Sequence, residues 1–340
     1  MRLSNINKPL VFITMGDPAG IGPEVIVKSL ASPGIKGLAN FVIVGDRILF
    51  ENIFSSMGVK ESFYPARIIK ESFDISEGDI NILEPAGPLS CPIVTGAPSL
   101  EGARKAFESV TLAAEIMRSL DNNIKTCLVT APLDKGLISK VYNGFIGHTE
   151  YLKELFSAKF VVMALLGERL KVIPVTRHVP FSEVSALLNQ DLIIQTIKEV
   201  VLNAEWISGK KNARIGVAAL NPHAGERGKI GDEEINIIKP AVEKAKEKFS
   251  NIEGPIPSDV IFYKALKGEI DIVVGMYHDQ CLAPFKMVDF DNGVNVTLGL
   301  GYIRTSPDHG TAFDIAGKGI AKETSMVNAI KLAIQSLTRY

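Results

Sequence analysis

The sequence predicts an α/β protein built as two α/β/α domains with mostly parallel sheets. Three observations carry this. Short apolar runs rich in β-branched residues alternate with amphipathic stretches along nearly the whole chain, the pattern of strands joined by crossover helices. The chain has 340 residues, more than a single core usually holds. No Pro/Ser-rich linker interrupts it, so the chain is expected to cross between its domains more than once. Crossings near 135–145 and 300–310 give a discontinuous first domain, 1–140 plus 305–340, and a second domain, 141–304.

The expected strands are LVFIT (10–14), FVIVG (41–45), TCLVTA (126–131), VVMALLG (161–167), KVIPVT (171–176), ARIGVAAL (213–220) and IDIVVGM (270–276). They are near-continuous apolar runs, as strands of a parallel sheet covered on both faces are. Helices are expected over 22–31, 99–120, 148–157, 190–206, 232–249 and 322–338. The 232–249 stretch opens on Asp232, Glu233 and Glu234 and ends near Lys244, Lys246 and Lys248, charges that suit the two ends of a helix dipole. Pro240 inside it is expected to kink or split it.

Composition is that of an ordinary globular protein, 46% apolar and 22% charged, and the formal net charge of −1 offers no global field to nucleic acid or anionic membranes. Cys91, Cys127 and Cys281 are widely separated and form no CxxC pair, which argues against a thiolate zinc site or a disulfide framework. The N-terminal apolar run is too short for a signal peptide. No stretch approaches the ~20 apolar residues of a membrane span. A reduced, cytoplasmic, soluble protein is expected, with no nucleic-acid or membrane partner.

The five histidines lie in polar, turn-like contexts: GHTE (147–150), TRHVP (176–180), NPHAGE (221–226), YHDQ (277–280) and PDHG (307–310). Three of them, His178, His223 and His278, follow an expected strand within a few residues. Parallel strands end on one edge of a sheet, where α/β proteins hold ligands. Three imidazoles converging there would leave an open coordination position on a divalent metal. Taken singly, a histidine after a strand is usually a hydrogen-bonded loop residue; three in one chain put the metal site and the loop reading on an equal footing. His148 and His309 follow no strand and are candidates for substrate or cofactor contact. Cys281, three residues after His278, is either a fourth ligand or a buried inert thiol.

GDPAGIGPEV (16–25) joins the first strand to a helix. Its G-x-x-x-G-x-G spacing is neither the dinucleotide fingerprint nor a phosphate loop, so it is either a tight structural turn or an anion contact. GHTEYLKEL (147–155) reads as a helix start, with Thr149 as a cap or a phosphate ligand. Lys286, Asn295 and Arg304 punctuate a polar stretch, and a Lys/Arg pair near a small anion would hold its carboxylate or phosphate. TLGLGYIRTSPDHGTA is dense in Gly, Ser and Thr and is expected to be a loop that enters a helix at about Thr311, able to wrap a dinucleotide. Gly299, Thr305, Ser306, His309 and Thr311 are its candidate cofactor contacts.

Taken together, ITMGDPAGIGPEV, GHTEYL, LNPHAGERGKIGDEE, GPIPSDVIF, MYHDQCLAPFK and GVNVTLGLGYIRTSPDHGTAFDIAGKG resemble the 4-hydroxythreonine-4-phosphate dehydrogenase family of pyridoxal phosphate biosynthesis. GDPAGIGPEV is also similar to the turn of the wider isocitrate/isopropylmalate dehydrogenase-like superfamily. The resemblance implies that superfamily's two-domain α/β fold, with the active site in the cleft between domains and at a homodimer interface. It implies NAD-dependent oxidation of 4-phosphooxy-L-threonine at C3 and decarboxylation to 3-amino-2-oxopropyl phosphate, with NADP left open as the cofactor. His178, His223 and His278 would bind one divalent metal per site (zinc, magnesium or cobalt), with His278 assigned to the partner chain. His148, Thr149, Lys286, Asn295 and Arg304 would contact the small phosphorylated substrate, and Asp259 and Asp279 match acidic positions near the site. Arg227, Lys229 and Arg177 add basic charge that departs from the family pattern. The motifs do not fix the C2 substituent. A dehydrogenase of phosphothreonate or phosphoerythronate is therefore the alternative, and a metal-dependent hydrolase is the reading from a different class.

Overall fold

The computed structural model describes residues 8–59, 63–69, 72–77, 80–85 and 92–337, and the chain divides into two units, Met1–Lys159 with Leu300–Tyr340, and Phe160–Gly299. Cys91 lies outside the described residues. In the first unit β1 (Leu10–Thr14) leads to α1 (Gly22–Ala31), and β2 (Asn40–Val44) leads to α2 (Arg47–Ser56). The short strands β3 (Phe63–Pro65), β4 (Arg67–Ile69), β5 (Ser72–Asp74) and β6 (Ile80–Leu83) follow. Then come α3 (Leu100–Ser119), β7 (Thr126–Thr130), α4 (Lys135–Val141) and α5 (His148–Leu155).

The second unit holds β8 (Val162–Leu166), β9 (Lys171–Pro174), α6 (Val184–Leu187), α7 (Gln190–Ser208), β10 (Ile215–Ala218), α8 (Lys239–Lys246), β11 (Ile252–Ile256), α9 (Ser258–Leu266), β12 (Ile272–Gly275), α10 (His278–Asp289) and β13 (Val294–Leu298). The chain then returns to the first unit as β14 (Ile303–Pro307) and α11 (Thr324–Leu337).

The first unit's sheet runs β14-β7-β1-β2-β6-β3 and is parallel throughout. β1 is buried at every position, with α3 against β1 and β7 and α11 against β7 and β14, so it reads as an uninterrupted apolar run. The second unit's sheet runs β11-β10-β12-β9-β8-β13, parallel from β11 to β9, with β8 antiparallel to both neighbours. Its core gathers Leu165, Val172, Val273, Ile261, Cys281 and Phe285. Asp289 is buried at the end of α10 and accepts hydrogen bonds from the Arg169 and Leu170 amides at 3.1 and 2.8 Å, which ties that helix to the β8–β9 turn.

Four sequence expectations change. Segment 141–159 belongs to the first unit, because Tyr142, Phe145 and Tyr151 pack around Phe107 of α3 with ring centroids 4.5, 6.0 and 4.8 Å from it. No helix starts at Thr311, where residues 313–317 form a turn; the next helix is α11, Thr324–Leu337, the one expected over 322–338. Within the expected Gly/Ser/Thr loop, residues 303–307 are a fully buried strand. Its polar side chains hid that position: Arg304 donates to Thr130 Oγ1, and Thr305 Oγ1 donates to the Ala329 carbonyl at 2.9 Å. Finally, His278 is not in a turn; it opens α10.

Pro240 perturbs its helix without splitting it: the helical run 233–246 is unbroken, and its hydrogen-bond pairing changes just before the proline. A π-helical turn, Glu234–Ile238, precedes α8, with the Lys239 amide bonded to Glu234 O. Proline cannot serve the carbonyl four residues back. The Asn236 carbonyl accepts from Gln190 Nε2 instead, at 3.2 Å.

Candidate active site

β10, β12 and β9 are adjacent in the second unit, so their carboxyl ends share one sheet edge. The β9–β12 pairing continues past the strands: the Val175 amide donates to Gly275 O at 2.8 Å, and Thr176 donates to Met276 O through its amide at 3.1 Å and its hydroxyl at 2.8 Å. Two residues later each chain segment releases a histidine. The His178 and His278 rings lie 5.5 Å apart between centroids. His278 Nδ1 is 2.7 Å from Asp279 Oδ1. A carboxylate only accepts, so Nδ1 carries the proton and Nε2 keeps its lone pair for a ligand.

His223 follows β10 in a left-handed turn: His223, Ala224, Gly225 and Glu226 have φ of 52, 53, 75 and 41°. For residues with a Cβ this costs about 1–2 kcal/mol each. His178 is left-handed as well, with φ of 49°. Such strain concentrates at functional sites.

His223 lines a cavity of about 710 Å³ with Asp259, Glu233, Phe181, Tyr277 and Gln280. His178, His278 and Asp279 line a smaller one of about 130 Å³, which Phe181 and Tyr277 also line. Among the described residues, no three His, Cys, Asp or Glu side chains of one chain close into a metal-holding group. The single chain therefore presents a histidine pair and a third histidine in a neighbouring cavity. Lys286, half-buried on α10 with Nζ 5.1 Å from the Phe290 ring centre, and Asn295 on β13 line neither cavity. Asn295 Oδ1 is buried with no hydrogen-bond partner. Cys281 is an inert core thiol and no ligand: it is fully buried, and burial pushes its pKa up to about 12.

Gln280 is a residue that motif reading missed. Its Oε1 accepts from the Met276 amide, and its Nε2 donates to Ala219 O and Ser258 Oγ at 2.6 Å each. One buried amide thus ties the first turn of α10 to the end of β12, to the chain just past β10 and to the start of α9. The only sequence signal was its place two residues after His278.

In the first unit, His148 opens α5, whose N-cap is Gly147 with no side-chain bond; Thr149, one residue further on, is therefore not the cap. Arg304 on β14 is 3% exposed, and burial lowers its guanidinium to about 10 against the opposing pull of Glu150. It stays cationic at neutral pH. His148 is half-buried, yet its Nε2 is sealed from water and has no hydrogen-bond partner. Burial, then the charges of Arg304 and Lys135, push its pKa well below the usual histidine value, so the ring is neutral. Lys135, at the start of α4, is the second residue missed. A helix N-terminus with Arg304, Lys135 and a neutral imidazole beside it suits a small anion.

The expected cofactor residues separate. Thr305 and Ser306 are buried in β14, and the Thr305 hydroxyl is bonded to Ala329. His309 Nδ1 lies 3.0 Å from Gly310 O, and the Thr311 carbonyl accepts from the Ile21 amide at 2.9 Å. The GDPAGIG turn and the DHGT loop therefore touch at the carboxyl edge of β1. A Cβ on Gly20 would come within 2.7 Å of Thr311 O. Thr14 Oγ1 and Asp17 Oδ2 are buried there without partners, and burial, against a bond from the Ala19 amide, raises the Asp17 pKa. Gly299 lies in the second unit, where a Cβ would meet Phe160 O at 2.4 Å.

Residues 37–333 match the family model described as pyridoxal phosphate biosynthetic protein PdxA. A 4-hydroxythreonine-4-phosphate dehydrogenase of Desulforapulum autotrophicum is 38% identical over 336 residues, 98% of this chain and 96% of that one. A D-threonate 4-phosphate dehydrogenase of Pectobacterium atrosepticum is 39% identical over 333 residues, 96% of this chain and 98% of that one. The crystal structure of 4-hydroxythreonine-4-phosphate dehydrogenase from Klebsiella pneumoniae superposes with a TM-score of 0.81 at 37% identity, covering 98% of this chain and 99% of that one. With the fold, the histidine edge and these full-length matches in agreement, the chain belongs to the pyridoxal phosphate biosynthetic protein PdxA family.

Proposed function

We propose that this protein is an NAD- and divalent-metal-dependent dehydrogenase of 4-phosphooxy-L-threonine, oxidising C3 and releasing carbon dioxide to leave 3-amino-2-oxopropyl phosphate. The observation that carries the reading is the histidine edge: three adjacent strands of a family member deliver His178, His278 and His223. The donor set fits a metal, since Asp279 frees the Nε2 lone pair of His278, and neutral imidazoles suit zinc better than magnesium. The partnerless oxygens of Thr14 and Asp17 beside the DHGT loop fit a polar cofactor. When bound, the metal supplies Lewis-acid character to an alcohol oxygen and NAD accepts a hydride.

The chain's own residues do the rest. Arg304, buried and charged, holds the phosphate, and His148 Nε2 and the α5 amides add hydrogen bonds without adding charge. Asn295 Oδ1 accepts from an amine or hydroxyl of the substrate. Asp279 holds the His278 tautomer, and Asp259 faces the His223 cavity as a proton acceptor. A complete set of three imidazoles calls for a second copy of the chain. Exposed apolar residues on the second unit, Phe181 at 74% and Met287 at 88%, are consistent with a homodimer.

The test is NADH formation by purified protein with a divalent metal, comparing 4-phosphooxy-L-threonine with 4-phospho-D-threonate and 4-phospho-D-erythronate. Preference for the amino substrate supports the reading. Preference for threonate supports the second reading, which the full-length Pectobacterium relative favours at similar identity. No NADH with any of them, despite bound metal, returns the site to hydrolysis.

A further inference from the structure

Among the buried polar groups outside the residues assigned so far, Glu234 stands apart. It is 3% exposed, sits in the second unit, and opens the π-helical turn before α8. Its carboxylate is not spent on a cation. Oε1 accepts from the Leu220 amide at 2.8 Å and the Asn221 amide at 2.7 Å, and Oε2 accepts from Asn221 Nδ2 at 3.0 Å. These three donors belong to the two residues that carry the chain from β10 into Pro222 and His223.

What Glu234 grips is the entrance to the left-handed turn. From His223 to Gly228 every residue has positive φ, four of them with side chains. An L-residue run in that conformation does not hold itself. The turn's own bonds are few: the Ala224 amide to Asn221 O at 3.2 Å, Gly228 to Gly225 O at 2.9 Å, Ile230 to Gly225 O at 3.1 Å, and a long one from Lys229 to Glu226 O at 3.4 Å. The rest comes from the acidic pair. Glu233 accepts from Asn221 Nδ2 at 2.6 Å and from Ser185 Oγ at 2.6 Å, so the Asn221 amide is held between two carboxylates. Close packing seals the arrangement. A Cβ on Gly225 would stand 2.7 Å from Glu234 Oε2, and one on Gly231 would stand 2.5 Å from Asn221 Nδ2. Both glycines already need their positive φ of 75 and 98°.

We infer that Glu234 is a positioning residue for His223, clamping the Leu220–Asn221 backbone so that the strained turn presents the imidazole to a divalent metal. The helix that the sequence marks by its acidic start thus uses one of those acids inward, as the anchor of a ligand one loop away. This rests on the reading of His223 as a metal ligand. Carboxylates behind metal-binding histidines usually act by bonding the ring itself. Here the hold is on the backbone, so it sets where the histidine is rather than how its ring is protonated.

The experiment is a cobalt(II) titration of the full-length protein, followed by the visible absorption of the bound ion and by calorimetry, with Tm measured for every variant. Glu234→Ala is expected to weaken cobalt binding by about 10- to 100-fold, the usual range for supporting residues. Glu234→Gln keeps an oxygen for the two amides but faces Asn221 with a donor. It should lose less affinity, and it carries the test if the alanine variant does not fold. Ile330→Ala, a fully buried position on α11 in the other unit, controls for lost stability and should leave cobalt affinity unchanged. His223→Ala separates the two levels of the claim. If His223→Ala weakens cobalt binding and neither Glu234 variant does, the clamp is overturned and the ligand stands. If His223→Ala binds cobalt like the parent, the ligand assignment falls, and the clamp with it. If Ile330→Ala at equal Tm loss weakens binding as much as Glu234→Ala, the effect is general destabilisation and the inference fails.

Discussion

The two units use the same side chain in opposite ways. In the first, His148 is sealed at Nε2, flanked by Arg304 and Lys135, and kept neutral by burial and by those charges. In the second, His178 and His223 are exposed at a sheet edge on left-handed backbone, and His278 is half-buried with its Nδ1 tied to a carboxylate. Desolvation and the nearby cations Arg304 and Lys135 hold the first imidazole neutral. In the second unit the proposed metal role asks for an accessible ring nitrogen and a fixed ring, and there the backbone of His178 and His223 takes the strain. The difference teaches that histidine's role is set by what surrounds each ring nitrogen.

The comparison breaks most visibly at the exposed edge. His278→Ala should lower turnover by about a thousandfold, the scale of losing several kcal/mol of metal-derived stabilisation, with bound metal reduced and far-UV circular dichroism unchanged. Turnover within a few-fold of the parent would remove the ring from the site. A smaller effect is expected from the buried cation. Arg304→Met should raise KM for the phosphorylated substrate by about 10- to 100-fold, the worth of one charged hydrogen bond. If KM holds and only Tm moves, Arg304 is a structural charge satisfied by Thr130.

The smallest effect concerns pH. The unfolded chain takes up a proton at His148 near 6.5, while the folded chain does so only at lower pH. Between the two values the unfolded state binds more protons, so His148 removes stability as pH falls below about 6.5, by at most about 1.4 kcal/mol per pH unit. Replacing His148 with Asn should flatten that acid limb in urea unfolding between pH 6.5 and 5, leaving stability at pH 8 little changed. An acid limb identical to the parent's would mean that the ring gains its proton in the folded state too.

Legibility followed the kind of signal. β1, β7 and β12 were plain because strands covered on both faces are unbroken apolar runs, and α1, α3 and α7 because their apolar positions recur at helical spacing. β14 was hidden because its arginine, threonine and serine look like loop residues until Thr130 and Ala329 are seen to take their hydrogen bonds. Lys135 and Gln280 were missed because neither sits in a pattern of its own; Lys135 acts on His148, 13 residues away, and the Gln280 amide nitrogen is held by Ser258 and Ala219, 22 and 61 residues away.

The sequence by itself determined the alternating α/β plan, the irregularity of the helix at Pro240, and which residues are chemically able to bind a metal or a phosphate. Periodicity, proline's missing amide and side-chain chemistry are local properties, readable without a fold. Only the tertiary structure decided that His178 faces His278 while His223 lines the neighbouring cavity, that Arg304 is a desolvated cation rather than a surface one, and that Glu234 points inward to the turn before His223. Each of these depends on strand order, on burial or on a bond between distant segments, and such relations come into being only when the chain closes on itself.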